Sequence, residues 1–197
     1  EYRRQRQMGI RDSTLAQTSS TRQSVPSMLT AQPLVWPDGT PNPQATHSIV
    51  SVAAQAGYAT AWFSNQAAVG KHDGIIASYA QEAAATAFLN PSGFADQGSL
   101  DEVLLPALRR HLANNARALV VLHTMGSHFN YQHRYPSGFG PYPHSSNARE
   151  AYFNSVAYTD KVLDQIIATL AGDGRRAALV YAADHGETVP GGACKAD

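Results

Sequence analysis

The sequence predicts an α/β fold, a largely parallel sheet with helices on both faces, and three observations carry that reading. Short apolar runs at 58–63, 118–122 and 178–181 have the composition of strands buried on both sides. Segments with helical spacing of apolar residues separate them. Each run leads into a polar cluster: Asn65-Gln66, His123 to His128, and Asp184-His185. In open parallel sheets, ligands gather at the carboxyl ends of the strands, where these clusters fall.

Taken in order, residues 1–46 show no sustained period and are rich in Ser, Thr, Gln and Pro. They read as loop, with a short helix near 24–29. Over 47–56, Ile49, Val50, Val52, Ala53 and Ala56 fit one helical face, and Gly57 is a stop signal. The strand at 58–63 follows. A glycine-bearing loop through Gly70-Lys71 leads to an alanine-rich helix expected over 75–88, and Asn90-Pro91-Ser92-Gly93 breaks the chain. Ser99 with Glu102 has the spacing of a capping box opening a helix to about residue 112. After the strand at 118–122, residues 129–147 carry Pro, Gly, Tyr and Ser without period and read as a long surface loop over the site. A helix over 148–170 should bury Tyr152, Val156, Thr159, Val162, Leu163, Ile166, Ile167 and Leu170. Gly172 and Gly174 end it, and the strand at 178–181 runs into Asp184-His185-Gly186-Glu187.

Composition narrows the function. With 197 residues and 43% hydrophobic content, the chain can bury one sizeable core. Its formal net charge is zero, and the run Arg3-Arg4-Gln5-Arg6 is a short solvated patch, so nucleic acid is not expected as a partner. No apolar run reaches the roughly 18 residues that span a bilayer. Without an initiator Met or a signal peptide, the chain reads as a piece of a longer protein. The single Cys194 excludes an internal disulfide.

Eight histidines leave room for a metal site. Asp184 and His185, adjacent where a buried strand becomes a loop, can meet one divalent ion, or simply cap the next turn. The hydroxyl-rich stretch 18–27 leads into a helix. A hydroxyl near a helix start and a metal can become an alkoxide nucleophile, and a helix N-terminus favours phosphate. Such Ser/Thr clusters are also ordinary caps. His123 and His128 flank Gly126 after a buried strand, which suits ligands better than a lone histidine would.

Together these segments resemble a known family. LHTMGSH at 122–128 with Tyr135-Pro136 resembles a signature of the phosphoethanolamine transferases, within the alkaline phosphatase and sulfatase superfamily. AYFNSVAYTDKVLDQII at 151–167 and ADHGET at 183–188 resemble its next two blocks. Ser24-Val25-Pro26 is similar to the segment just after its nucleophilic threonine, and GYATAWFSNQ at 57–66 to the strand leading into its headgroup region. Glu1-x-x-Arg4 with Met8 is similar to the family's opening block.

The resemblance implies an alkaline-phosphatase-like fold and a zinc ion held by Glu1, Thr21, Asp184 and His185. Thr21 would be the nucleophile, and His128 would act beside the transferred phosphoryl group. Asn65, Gln66, Lys71 and His123 would lie at the substrate. The implied reaction moves phosphoethanolamine from phosphatidylethanolamine to lipopolysaccharide (lipid A or core) or another envelope glycan, through a phosphorylated threonine. The implied place is the periplasmic face of the bacterial inner membrane. Residues 1–197 would then be a single, incomplete catalytic domain, its amino-terminal membrane domain missing. The alternatives are a sulfatase or phosphodiesterase of the same superfamily, or a degenerate binding domain. Ser24-Val25-Pro26-Ser27 lacks the arginine of a formylglycine motif, which counts against a sulfatase. The chain departs from the family in three ways. It is shorter by about one strand between the opening and nucleophile blocks, which is read as omitted residues. Ser27 stands where lipid A-modifying members have a half-cystine. It ends at Asp197, before the family's next active-site histidine.

Overall fold

A computed structural model of the chain describes residues 16, 18–30, 32, 36, 38–40, 42, 47–68, 74–90 and 98–189. Glu1 with the opening block at 1–8, Lys71 and Cys194 lie outside the described residues. In order, the elements are α1 (Thr21–Leu29), α2 (Ile49–Gln55), β1 (Ala59–Ser64), α3 (Gly74–Ala80) and β2 (Ala85–Phe88). A 3-10 turn at Asp101–Val103 opens α4 (Leu104–Asn114), then come β3 (Ala118–His123), a second 3-10 turn (Tyr131–His133) and α5 (Ala148–Gly172). The described sheet has the order β2-β1-β3, with both pairings parallel. The expected parallel α/β fold is present.

Alternation along β1 decides what covers each face of the sheet. Trp62, fully buried, packs with Val50 of α2 and with Ile76 and Ala80 of α3. Its neighbours Ala61 and Phe63 point the other way, onto Leu104 of α4. Beyond α4 lies a third cluster, where Leu105 and Leu108 meet Tyr158, Val162 and Ile166 of α5. A central strand apolar at successive positions is therefore covered on both sides, as a parallel sheet requires. Burying a side chain of this size is worth about 1.5–3 kcal/mol.

Four local expectations are corrected. The helix expected over 75–88 stops at Ala80, and Ala85–Phe88 form the edge strand β2. The Thr86 hydroxyl donates to Ala80 O (2.9 Å) and the Thr60 hydroxyl accepts from Ala84 N (3.0 Å), so two β-branched residues fold the intervening turn back on itself. No capping box forms at Ser99, whose hydroxyl donates instead to Leu89 O (3.3 Å). On α5 the buried stripe is Ala151, Asn154, Ser155, Tyr158, Val162 and Ile166, while Val156 is exposed. Asn154 explains the rotation: its amide accepts from Tyr142 N (3.0 Å) and donates to Tyr142 O (2.7 Å), so a polar residue faces inward. Residues 129–147 are not only a surface loop, since Tyr131, Arg134 and Tyr135 are buried in it.

The run at 178–181 does not form a strand: residues 176–183 are irregular and Val180 is 90% exposed. A run that is apolar on both faces needs a ladder partner and cover on both sides, and no described element supplies them. Among the described residues, no helix is long and apolar enough to cross a membrane.

Candidate functional site

The parallel register sets the site. Ser64 and His123 are partners at the carboxyl ends of β1 and β3. Their side chains also meet, Ser64 Oγ and His123 Nδ1 lying 3.0 Å apart, and the Trp62 ring stands edge-on to the imidazole. Burial depresses the His123 pKa to about 4, against an opposing pull from Asp184. His123 is thus a neutral group built into the strand end. Gln66 crosses the same gap, donating from Nε2 to Thr124 O (2.9 Å).

Thr21 opens α1, a nine-residue helix with Ser20 as its cap. Thr18 prepares the approach: its hydroxyl lies 3.0 Å from Ser24 Oγ, which donates back to Thr18 O (3.1 Å). The first-turn N–H groups of a helix and its dipole favour negative charge there. Thr21 Oγ1 lies 3.3 Å from His185 Nε2, although 164 positions separate the two residues. Asp184 Oδ2 lies 3.5 Å from the same nitrogen.

The chemistry of these three groups fits a metal. His185 Nδ1 sits 2.7 Å from Gly186 O, a pure acceptor, so Nδ1 carries the hydrogen. In that tautomer the Nε2 lone pair is turned toward a hydroxyl and a carboxylate. At zinc–ligand distances near 2.0–2.1 Å, neighbouring ligand atoms of a tetrahedron lie about 3.3 Å apart, close to the spacing seen. The backbone carbonyl on the far nitrogen is the usual outer support of a ligating histidine. Among the described residues, no three His, Cys, Asp or Glu side chains gather as a metal-holding group. The set is two such residues and a threonine, and Glu1 falls outside the described residues.

Beyond Gly126, whose φ of +57° lies in the left-handed region, the chain turns back and carries His128. Burial, and then the Arg134 charge, lower the His128 pKa, while Glu187 and Asp184 pull it up. The charges of both carboxylates of the 184–187 segment thus reach His128. The Tyr131 hydroxyl donates to Glu187 Oε1 (3.1 Å), and burial is the first cause of its rise to about 12.

Asn65 has a different setting from a residue at an open ligand site. It is fully buried, and Nδ2 donates to Ser99 O (2.9 Å) and to Asp101 Oδ1 (2.8 Å). Its Oδ1 is buried with no hydrogen-bond partner among the described residues. The structure thus brings together Thr21, Asp184 and His185, places His123 and His128 near Asp184, and holds Asn65 and Gln66 at the strand ends. Sequence reasoning missed Asp101. This carboxylate is buried and accepts from Asn65, from Met125 N (2.8 Å) and from Gly126 N (2.8 Å). In the sequence, Asp101 passes for an ordinary helix-start acid beside Glu102. No local signal distinguishes it.

Residues 3–196 match the sulfatase family. The chain is 35% identical over 147 residues to phosphoethanolamine transferase OpgE of Escherichia coli K12, covering 73% of this chain and 28% of that protein. It is 33% identical over 101 residues to the Kdo(2)-lipid A phosphoethanolamine 7''-transferase of the same organism, covering 45% and 18%. The crystal structure of the C-terminal periplasmic domain of EptC from Escherichia coli, in complex with zinc, matches with a TM-score of 0.55 at 22% identity. That match covers 79% of this chain and 46% of the other. The chain spans less than a third of the length of the curated relatives it matches.

Proposed function

Because this chain belongs to the sulfatase family, we propose that it is the catalytic unit of a phosphoethanolamine transferase, part of a longer protein held at the periplasmic face of a bacterial inner membrane. The donor is phosphatidylethanolamine, and the acceptor is lipopolysaccharide or another envelope glycan. The observation that supports this reading is the approach of Thr21 Oγ1 (3.3 Å) and Asp184 Oδ2 (3.5 Å) to His185 Nε2 at the start of a helix, with Thr21 and His185 from opposite ends of the chain. Relatives that carry the name phosphoethanolamine transferase lend the headgroup.

Thr21 Oγ1 forms a bond to the donor phosphorus, and the bond from phosphorus to the diacylglycerol oxygen breaks. The threonine's proton passes to that leaving oxygen. A hydroxyl or phosphate of the acceptor then takes the phosphoethanolamine, and Thr21 regains a proton. Zinc, held by Thr21, Asp184, His185 and Glu1, would lower the threonine's pKa and offset charge on the phosphoryl oxygens. His128 moves the proton in both halves. A pKa lowered by burial keeps its ring neutral and able to accept one. The first N–H groups of α1 favour the negative charge that develops at Thr21. Asn65 and Gln66, at the end of β1, would flank the headgroup, a place the resemblance also gives to Lys71, with His123 a fixed neutral neighbour.

The test is diacylglycerol release from phosphatidylethanolamine micelles by the zinc-loaded protein, with and without a lipopolysaccharide acceptor. Release that requires zinc and Thr21, and that rises with acceptor, is the expected result. Steady release of free phosphoethanolamine into water, indifferent to acceptor, would make the protein a hydrolase. No release at all would overturn both readings.

A further inference from the structure

The loop that presents His128 is held from both sides by two buried charges. On its N–H side, the Asp101 carboxylate accepts from Met125 N and Gly126 N at 2.8 Å each. On its carbonyl side, the Arg134 guanidinium donates from Nε to His128 O (3.3 Å) and from Nη2 to Phe129 O (3.0 Å). Both side chains are nearly out of solvent, Asp101 at 6% and Arg134 at 5% exposure. Between them the chain makes its left-handed turn at Gly126, and His128 N closes it on Met125 O (3.4 Å). Asn65, at the end of β1, completes the carboxylate's shell.

Burying a charge costs several kcal/mol unless it is paired and fully bonded. Burial raises the Asp101 pKa and lowers that of Arg134, and each charge opposes that shift in the other and so offsets part of its cost. An apolar pair would brace a loop more cheaply. What a carboxylate and a guanidinium add is direction: one can only accept N–H groups, the other can only donate to carbonyls. Four backbone groups of one five-residue stretch are thereby fixed in orientation.

We propose that Asp101 and Arg134 are positioning residues that fix the 125–129 loop and so aim the His128 ring at the phosphoryl group. Neither touches substrate. The geometry stands alone, while the catalytic consequence rests on the transferase reading above. A reacting group displaced by about 1 Å can cost about 10²-fold in rate.

The experiment uses the full-length zinc-loaded protein and its Asp101→Asn, Arg134→Lys and His128→Ala variants, with phosphatidylethanolamine micelles as donor. One arm needs no turnover: hydrogen exchange at the Met125 and Gly126 amides, and the His128 ring resonances. In Asp101→Asn, exchange at those two amides should quicken at least about tenfold, with other protected amides unchanged and the ring resonances shifted. In Arg134→Lys the His128 resonances should shift likewise. The second arm is kinetic. Asp101→Asn and Arg134→Lys should each lower kcat about 10- to 100-fold with KM within about twofold. The Asp101→Asn/His128→Ala double variant should be no slower than His128→Ala alone, because the two act through one ring. Unchanged exchange at 125–126, or a double variant losing the product of the two single factors, would overturn the proposal. Global unfolding of both Asp101→Asn and Arg134→Lys would also overturn it, assigning the pair to stability alone. If the wild type turns over no donor, the transferase reading fails, while the exchange and resonance arm still decides the clamp.

Discussion

Replacing Tyr131 with Phe isolates one tether of the 184–187 segment. Apart from the contacts of Asp184 and His185 themselves, that segment is held to the described core by the Tyr131 hydroxyl on Glu187 (3.1 Å). A hydrogen bond to a charged partner is worth about 1.5–3 kcal/mol when shielded, and about 1 kcal/mol is the fitting figure here because Glu187 is exposed. The ring itself stays: Tyr131 is buried in the α5 cluster and stands edge-on to Tyr152 at 5.3 Å. Loss of about 1 kcal/mol from the closed segment should weaken zinc binding about fivefold, because only the closed segment brings Asp184 and His185 to Thr21. The metal-free variant should melt within about 4 °C of wild type, the shift for 1 kcal/mol in a domain of this size. Competition against a zinc-chelating dye gives the affinity, and thermal melting of the stripped protein gives the stability. Unchanged affinity would refute the tether. A much larger fall in melting temperature would show that the hydroxyl serves the core instead.

Other perturbations have definite expected outcomes. His128→Ala should cut turnover about 10²–10⁴-fold, the usual share of a general acid–base, while zinc content by elemental analysis stays at the wild-type value. Gly140→Ala should cost about 2 kcal/mol in denaturant melts, because φ is +93° and the new Cβ would collide with Asn154 Oδ1, which is already committed to Tyr142. Acid should weaken the fold through His123. Its folded pKa of about 4 lies below the ordinary 6.5, so the unfolded chain binds the extra proton, and stability is lost as pH falls through 6.5 toward 4. That gap is worth about 3 kcal/mol, and His123→Gln should remove it from the difference between melts at pH 7 and pH 4.

The sequence made the sheet's centre legible and its edges less so. β1 and β3 stand out because Trp62, Phe63, Val120 and Leu122 are apolar on both faces, a pattern set by burial itself. β2 does not, because Ala85-Thr86-Ala87-Phe88 continues an alanine-rich stretch with high helix propensity. Pairing with β1 overrides that preference, and a ladder partner 24 residues away leaves no local trace. The run at 178–181 shows the converse: apolar composition permits a strand but supplies neither partner nor cover. At the site, Thr21, His128 and Asp184-His185 stand out through the family resemblance rather than through local spacing, and the structure brings Thr21 and Asp184 to the His185 ring. Asp101 does not, since its role lies in three hydrogen bonds from distant parts of the chain. Asn65 is a headgroup residue by the family resemblance. The structure adds a bracing task, its Nδ2 tying Ser99 to Asp101.

The central claim is that Thr21 carries the phosphoethanolamine between donor and acceptor. Intact mass of the zinc-loaded protein, incubated with phosphatidylethanolamine and no acceptor, tests it most directly. The account expects a gain equal to one phosphoethanolamine group, mapped by peptide fragmentation to Thr21, absent in Thr21→Ala and discharged when acceptor is added. An unmodified Thr21 with transfer still proceeding, or the same adduct on another hydroxyl of the 18–24 cluster, would contradict it.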